Sequence, residues 1–281
     1  MLRIIVDGSA DMPDGWAEEY QFEILPMPIQ IGEKTYYQGE DIDTKLFYEL
    51  LEDKSVQPKS AAPSPTRIAK FIEKVADFGD TVLSLNVSGK MSSTVTMARH
   101  AARDLKDKME MVVFDSEAGS AVLAFMAREA RLREKAGESL EEILEVLKRI
   151  REKVMVVLTV DSLEFARRSG RVGTLKAALT SLLKIKPIVT LHEGALDVSE
   201  LVRTRRKSLE SIVSQVQERF GKTPVKVAIV HAHDQESAEI LKEMVDKALN
   251  AVETVFTELS ISVAANLGPK TVGIVAMPDQ I

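Results

Sequence analysis

The stretch TVLSLNVSGKMSST, Thr81–Thr94, contains the local pattern from which the rest of the fold can be predicted. Its first part, Thr81–Leu85, is short and apolar, which is typical of a buried strand. The remainder is rich in glycine and hydroxyl groups, carries one lysine, and is followed by a run that predicts a helix. A loop that leads into a helix offers free backbone N–H groups to an anion. The segment therefore indicates an anion site.

The same unit recurs along the first half of the chain. Leu2–Val6 and Glu110–Phe114 are further short apolar runs that predict buried strands. Helix starts are predicted at Ser64, as an N-cap, and at Ser139, through a capping box. This alternation of strands and helices predicts a parallel sheet with helices on its faces.

A different pattern begins after residue 153. Val154–Val160 predicts one more strand, and Pro187–Leu191 with Ala195–Val202 predicts an antiparallel hairpin. Predicted helices at 208–220 and 236–249 alternate with strands at 225–230, 252–259 and 272–276. We therefore predict an α/β protein of two α/β domains: residues 1–153 with a mostly parallel sheet, and residues 154–281 with a mixed sheet.

Composition excludes several classes of protein. The 281 residues are 45% hydrophobic and 28% charged, with a net charge of −6, which argues against a general nucleic-acid binder. Arg203–Lys207 is the one dense basic stretch and is interpreted as a helix start. Cysteine is absent, which excludes disulfides and thiolate chemistry. No apolar run approaches the roughly 18 residues that a spanning helix needs, so we expect a cytoplasmic protein without membrane insertion.

The loop at Leu85–Thr94 is not a nucleotide-binding P-loop. That motif places a glycine five residues before Gly89-Lys90 and a hydroxyl residue directly after them. Ser84 and Met91 occupy those positions. The turn glycine and the magnesium ligand are both missing, so the loop fits a carboxylate or phosphate more generally.

Two further segments are candidates for anion contact. PKSAAPSPT, Pro58–Thr66, has prolines that hold Ser60 at small entropic cost. In LEFARRSGRVG, Gly170 and Gly173 give conformational freedom to the turn that carries Arg171, whose planar guanidinium suits a carboxylate. Helix capping by the serines, and a surface position for Arg171, are the structural alternatives, and the sequence leaves them open.

Metal and nucleophile chemistry are weakly supported. HAHD, His231–Asp234, resembles the start of some hydrolase zinc sites, but Gln235 stands where a further aspartate is needed. There is no G-x-S-x-G elbow. We predict no metal site and no cofactor.

Together these segments resemble the DegV family of fatty-acid-binding proteins along the full chain. The resemblance is carried by IVDGSADMP, PKSAAPSPT, GKMSSTVTMA, VVFDSEAGS, LEFARRSGRVG, LLKIKPIVTLHEGAL, VRTRRKS and IVHAHDQESA, in that order.

The resemblance implies a fold of two α/β domains and a specific ligand. It implies one bound long-chain fatty acid, with its acyl tail in an apolar tunnel and its carboxylate held by hydroxyls between the domains. It also implies a carrier without catalytic residues, which presents the carboxylate to a separate fatty acid kinase for phospholipid synthesis.

Carried over residue by residue, the family's loop threonine falls on Ser60, its Leu-Ser-Gly serine on Ser92 and its Gly-Gly-Arg arginine on Arg171. Asn266 replaces the family's histidine; it can donate a hydrogen bond but cannot carry charge. The fatty-acid-binding residues implied in this way are Ser9, Ser60, Ser92, Ser93, Thr94, Arg171 and Asn266.

The head-group region also departs from the family pattern. Ala61 stands where serine is frequent, Ser93 replaces a glycine, and Lys270 replaces another glycine. Two other functions stay open from the sequence. One is a small-substrate enzyme of the dihydroxyacetone-kinase or phosphotransferase fold group, with His231 and His233 as its candidates. The other is a nucleic-acid or regulatory module that uses Arg203–Lys207.

Overall fold

The computed structural model describes residues 1–53, 55–172 and 185–281 of the chain. Gly173, predicted to free the turn at Arg171, lies outside the described residues. The described strands are β1 Leu2–Asp7, β2 Phe22–Leu25, β3 Pro28–Ile31, β4 Lys34–Tyr37, β5 Lys59–Ser60, β6 Thr81–Asn86, β7 Glu110–Asp115, β8 Met155–Thr159, β9 Lys186–His192, β10 Ala195–Val202, β11 Val225–His231, β12 Ala251–Glu258 and β13 Val272–Pro278. The described helices are α1 Trp16–Glu19, α2 Thr44–Leu51, α3 Pro65–Val75, α4 Thr94–Leu105, α5 Ala121–Lys135, α6 Leu140–Lys153, α7 Leu163–Ser169, α8 Arg205–Phe220, α9 Gln235–Ala248 and α10 Ile261–Leu267.

The first sheet is parallel throughout and has the strand order β2-β1-β6-β7. Successive residues of β1 enter different cores: Ile4 packs in the cluster that contains α5, and Ile5 packs in the cluster that contains α3 and α4. Both faces of the sheet are therefore covered, which explains why its strands are apolar almost throughout. The predicted parallel sheet is confirmed.

A small antiparallel sheet, β4-β3-β5, was not predicted from the sequence. β3 and β4 form a tight hairpin, and Gly32 takes a positive φ of 60° in its turn. β5 adds to the other edge of β3, where Ser60 is paired with Ile29. This pairing fixes the backbone of Ser60.

The six-stranded sheet has the order β10-β9-β8-β13-β11-β12 and is mixed. β11 and β12 run parallel, whereas the other neighbours are antiparallel. The predicted hairpin is present as β9 and β10, and its turn residues Glu193 and Gly194 both have positive φ. The tip of this hairpin meets the first half of the chain, because Ser88 Oγ donates a hydrogen bond to Gly194 O at 2.5 Å.

The local signals for helix starts are also confirmed. Ser64 caps α3 by accepting a hydrogen bond from the Arg67 N–H, and Ser139 forms the capping box of α6 with Glu142. The basic stretch at 203–207 leads into α8, which Thr204 caps.

The end of the chain returns to the beginning. α10 contacts β3, β5 and α7. Ser262 donates from its backbone N–H to Gln38 Oε1 and from its hydroxyl to Gly8 O, both at 3.0 Å. All described strands of the parallel sheet precede residue 153, and all described strands of the six-stranded sheet follow it. A domain boundary at that point stays a prediction. No helix among the described residues has the length and hydropathy needed to cross a bilayer.

Candidate functional site

A cavity of about 760 Å³, its open mouth included, lies against one face of the six-stranded sheet. Val156 and Leu158 of β8 face it together because they are two residues apart on one strand. Leu191 and Leu196 extend this apolar wall as a cross-strand pair of β9 and β10. Further apolar lining comes from Met27, Ala61, Val87, Met91, Val263 and Leu267. The polar side chains that line the cavity are Ser9, Ser60, Ser92, Ser120, Arg171, Ser262 and Asn266.

Most of the side chains predicted to contact a ligand therefore share this cavity: Ser9, Ser60, Ser92, Arg171 and Asn266. Ser93 and Thr94 are not among its lining residues. Ser93 is exposed at the N-cap of α4, and Thr94 is fully buried. The predicted segment is thus brought to the cavity through Ser92.

Thr94 does not line the cavity but contacts Ser92, which does. The Ser92 and Thr94 hydroxyl oxygens are 2.8 Å apart, and the Thr94 N–H donates to Ser92 Oγ at 3.3 Å. These contacts hold the Ser92 hydroxyl at the start of α4, where the helix dipole favours negative charge.

Ser60 and Asn266 form a direct pair that joins β5 to α10. Asn266 Nδ2 donates to Ser60 Oγ at 2.8 Å and to Ser262 O at 2.6 Å. Because the Ser60 oxygen accepts this bond, the hydrogen of the Ser60 hydroxyl is left for another acceptor. A carboxylate in the cavity is such an acceptor.

Ser9 is held by a buried carboxylate at the end of β1. Asp7 Oδ1 accepts hydrogen bonds from the Ser9 hydroxyl and the Ser9 N–H, and Asp7 Oδ2 accepts one from the Val87 N–H at 2.6 Å. Burial raises the pKa of Asp7, and these hydrogen bonds oppose that shift. Asp7 thereby ties the loop after β1 to the loop after β6.

Arg171 lies where two cavities meet. Its Nη1 donates to Ser169 O at 2.5 Å, which orients the guanidinium. The adjoining cavity, of about 820 Å³ with its open mouth, shares Ser60, Ala61, Arg171 and Asn266 with the first and also has Lys59 and Arg168 in its lining. This second opening therefore has three cationic side chains in its lining, of which Arg168 is paired with Glu164.

Sequence reasoning missed two serines of the cavity, Ser120 and Ser262. Ser120 belongs to DSEAGS, whose polar character was visible, but its part in the cavity depends on the loop after β1. Ser262 lies on α10, a short helix that no sequence signal placed next to β5.

Lys270, which replaces a family glycine, has a left-handed φ of 59°. Glycine adopts that conformation without strain, which gives a physical reason for the family's preference. The Lys270 backbone is held there because its N–H donates to Ala232 O and its carbonyl accepts from Arg205.

His231 and His233 line a different cavity, together with Asp14 and Glu258. His231 is buried, which lowers its pKa, and His233 stacks on Tyr48 with ring centroids 4.7 Å apart. Within the described part of the chain, no group of His, Asp and Glu side chains is arranged to hold a metal ion.

The first cavity can hold an amphipathic anion. A negative head group must be hydrogen-bonded or paired once it is buried. The Ser60 hydroxyl and the Arg171 guanidinium have hydrogens to donate to it, whereas both hydrogens of Asn266 Nδ2 are taken by Ser60 and Ser262. The wall formed by β8, β9 and β10 offers no polar side chain to the rest of such a ligand among the described lining residues. Fold and site together define an α/β protein with one parallel and one mixed large sheet and a ligand cavity of mixed polarity.

The chain belongs to the DegV family. The family model, described as "Uncharacterised protein, DegV family", matches residues 1–279. A DegV domain-containing protein of Listeria innocua is 28% identical over 275 residues, which cover 97% of each chain. Protein DegV of Bacillus subtilis is 28% identical over 276 residues, which cover 97% of this chain and 98% of that protein. The resemblance stated from the sequence is confirmed.

Solved structures agree with this assignment. A DegV family protein from Thermus thermophilus, whose structure is described by its fatty acid binding, is 28% identical with a TM-score of 0.88, and 99% of each chain is covered. DegV of Bacillus subtilis, described as a fatty acid binding protein, is 27% identical with a TM-score of 0.86, again over 99% of each chain. The predicted α/β fold is confirmed.

Proposed function

We propose that this protein binds one long-chain fatty acid and acts as a cytoplasmic carrier, without catalytic residues of its own. The observation that supports this most strongly is the first cavity, in which hydrogen-bond donors and Arg171 adjoin the apolar wall of β8–β10. The fatty acid binding described for the relatives from Thermus thermophilus and Bacillus subtilis supports the same ligand class.

The apolar wall and the polar side chains of the cavity have different energetic roles. Each buried methylene contributes about 0.8 kcal/mol, so the acyl chain supplies most of the affinity. The head group contributes orientation, because the Ser60 and Ser92 hydroxyls and the Arg171 guanidinium suit a carboxylate. Serine, asparagine and arginine side chains are not proton acceptors at neutral pH, which fits binding without chemistry.

We further propose that the carrier presents its carboxylate to a fatty acid kinase, which forms an acyl phosphate for phospholipid synthesis. The second opening supports this, since Lys59 and Arg168 lie beside Ser60 and Arg171 there. Cationic side chains at that opening suit an incoming phosphoryl group.

Calorimetric titration of the delipidated protein with palmitate and with oleate tests the binding role, with 1-hexadecanol as the matched ligand that lacks a carboxylate. We expect one binding site per chain and weaker binding of the alcohol. Absence of binding by both fatty acids would refute the binding role.

Incubation of the loaded protein with ATP and a fatty acid kinase tests the kinase role separately. Failure to form acyl phosphate would remove the kinase role and leave the binding role intact.

A further inference from the structure

Asp11 is a fully buried carboxylate that lies directly behind the cavity. Its Oδ2 accepts a hydrogen bond from the Ser120 hydroxyl, and its Oδ1 accepts one from the Ser260 N–H at 2.7 Å. Ser120 precedes α5 and Ser260 precedes α10. Asp11 therefore joins the starts of two helices at the polar side of the cavity.

Ser120 is held in a conformation that glycine adopts more easily. Its φ is 61° and its ψ is −150°, and its N–H donates to Ser9 O at 3.0 Å. A side chain in that region is strained and persists only where its surroundings require it. Ser120 lines the cavity and its hydroxyl contacts Asp11, which points to a role for the hydroxyl itself.

The direction of the Ser120 hydrogen bond depends on the charge of Asp11. A serine hydroxyl has a single hydrogen. When Asp11 is ionised, that hydrogen points at Asp11 and the Ser120 lone pairs remain for the cavity. When Asp11 is protonated, it can donate to Ser120 Oγ instead, and the Ser120 hydrogen becomes available to a ligand.

We infer that Asp11 is a positioning residue of the head-group site: it takes up a proton as a fatty-acid carboxylate binds, and Ser120 then donates its hydrogen to that carboxylate. The inference rests on the proposed function. It adds Ser120 to the ligand contacts and makes binding proton-linked.

The electrostatic surroundings agree with this coupling. Burial raises the pKa of Asp11 to about 7, and the hydrogen bonds from Ser120 and Ser260 offset burial only in part. Tyr48 on α2 has a pKa raised by burial first and then by Glu258 and Asp11, so its phenol stays neutral. Asp7, at the end of β1 and four residues before Asp11, already accepts hydrogen bonds from the Ser9 and Val87 N–H groups. An incoming carboxylate adds negative charge and therefore favours the protonated form of Asp11 further.

The pH dependence has a definite sign. Binding that raises the pKa of Asp11 is tightest below pH 7 and weakens as pH rises, by at most tenfold per pH unit. From pH 6 to pH 8 we expect the Kd for laurate, chosen for its solubility, to rise roughly fivefold to tenfold.

Two substitutions separate this linkage from other effects. In Asp11→Asn the amide oxygen still accepts from Ser260 and the amide NH₂ donates to Ser120, so the variant imitates protonated Asp11. We expect it to bind laurate at pH 8 as tightly as the wild type does at pH 6. Ser120→Gly removes the hydroxyl and relieves the backbone strain, so we expect weaker binding and a flat pH profile. Asp53→Asn is the matched control, because Asp53 accepts from Ser55 Oγ at 2.7 Å in an exposed Asp–Ser pair.

The experiment is calorimetric titration of each delipidated protein with laurate at pH 6, 7 and 8, in two buffers that differ in ionisation enthalpy. Proton uptake in the wild type and in Asp53→Asn, but not in Asp11→Asn or Ser120→Gly, is the expected result. If either Asp11→Asn or Ser120→Gly showed the same proton uptake and the same pH profile as the wild type, the inference would be overturned. Either variant alone is therefore a sufficient test if the other fails to fold. A wild type that binds neither laurate nor palmitate would overturn the proposed function itself.

Discussion

Substitution of Ser60 by alanine removes one hydroxyl whose contacts are defined on both sides. On one side, the Ser60 oxygen accepts a hydrogen bond from Asn266 Nδ2 at 2.8 Å. On the other side, Ser60 lines the cavity, and its hydrogen is available to a bound carboxylate. The variant should therefore lose affinity for fatty acid while it keeps most of its stability.

The magnitudes follow from these two contacts. A hydrogen bond to a charged group contributes about 1.5–3 kcal/mol, so the Kd for palmitate should rise about 10-fold to 150-fold. Asn266 Nδ2 keeps its bond to Ser262 O at 2.6 Å, so its amide is not left without a partner. The free energy of unfolding should accordingly fall by no more than about 1 kcal/mol.

The matched control is Ser64, four residues after Ser60 in the segment Pro58–Thr66. Ser64 accepts a hydrogen bond from the Arg67 N–H as the N-cap of α3, and it does not line the cavity. Ser64→Ala should lower the free energy of unfolding by about 1 kcal/mol and the Tm by about 2–4 °C. Its Kd for palmitate should equal that of the wild type. Calorimetric titration and thermal unfolding of the pair give both quantities, and wild-type affinity in Ser60→Ala would refute the assignment of Ser60 to the head group.

Three further predictions follow from other contacts. Arg171→Ala should raise the Kd for palmitate only about fivefold, because Arg171 is partly exposed and already bound to Ser169. It should reduce kinase-dependent acyl phosphate formation by a larger factor. Unchanged values in both assays would place Arg171 outside the site. Gly273→Ala should destabilise the fold by about 1–3 kcal/mol, because a Cβ there would lie 2.3 Å from Leu158 Cδ2 and 2.5 Å from Val157 O; an unchanged urea midpoint would contradict this. The N-terminal ammonium and Arg3 lower the pKa of Asp80 from its usual 3.8, so the stability that this contact adds is present above that pH and is lost as the pH falls toward the lowered value. The difference in urea midpoint between wild type and Asp80→Asn should therefore shrink between about pH 7 and about pH 2.5, and a constant difference would contradict the assignment.

Local signals predicted the parts of the fold that local interactions determine. Ser64 and Ser139 were identified as caps because a capping side chain bonds to an N–H three residues away, within the same segment. The hairpin predicted at 187–202 was identified because its turn separates two apolar strands, and the structure has it as β9 and β10. Parallel strands were identified from short apolar runs that alternate with helices.

Contacts between residues far apart in the sequence could not be predicted from local signals. β5 has two residues and exists through its pairing with β3. α10 has seven residues and is placed by contacts with the beginning of the chain, including the Ser262 hydrogen bond to Gly8. The cavity residues that were missed, Ser120 and Ser262, depend on these contacts.

The loop Leu85–Thr94, predicted as an anion site, also shows what the sequence can and cannot predict. Its position at a strand end was predictable, and Ser92 reaches the cavity. Which of the neighbouring hydroxyls face the cavity was not predictable, because Ser93 is turned outward and Thr94 inward at the start of α4. The resemblance to the DegV family could locate the segment, whereas the structure was needed to orient its side chains.

Native mass spectrometry of the freshly purified protein, followed by solvent extraction of the same sample, is the decisive test of fatty-acid binding. We expect a mass increment of one long-chain fatty acid per chain, and recovery of that fatty acid in the extract. A protein without bound lipid that also takes up neither palmitate nor oleate would contradict fatty-acid binding.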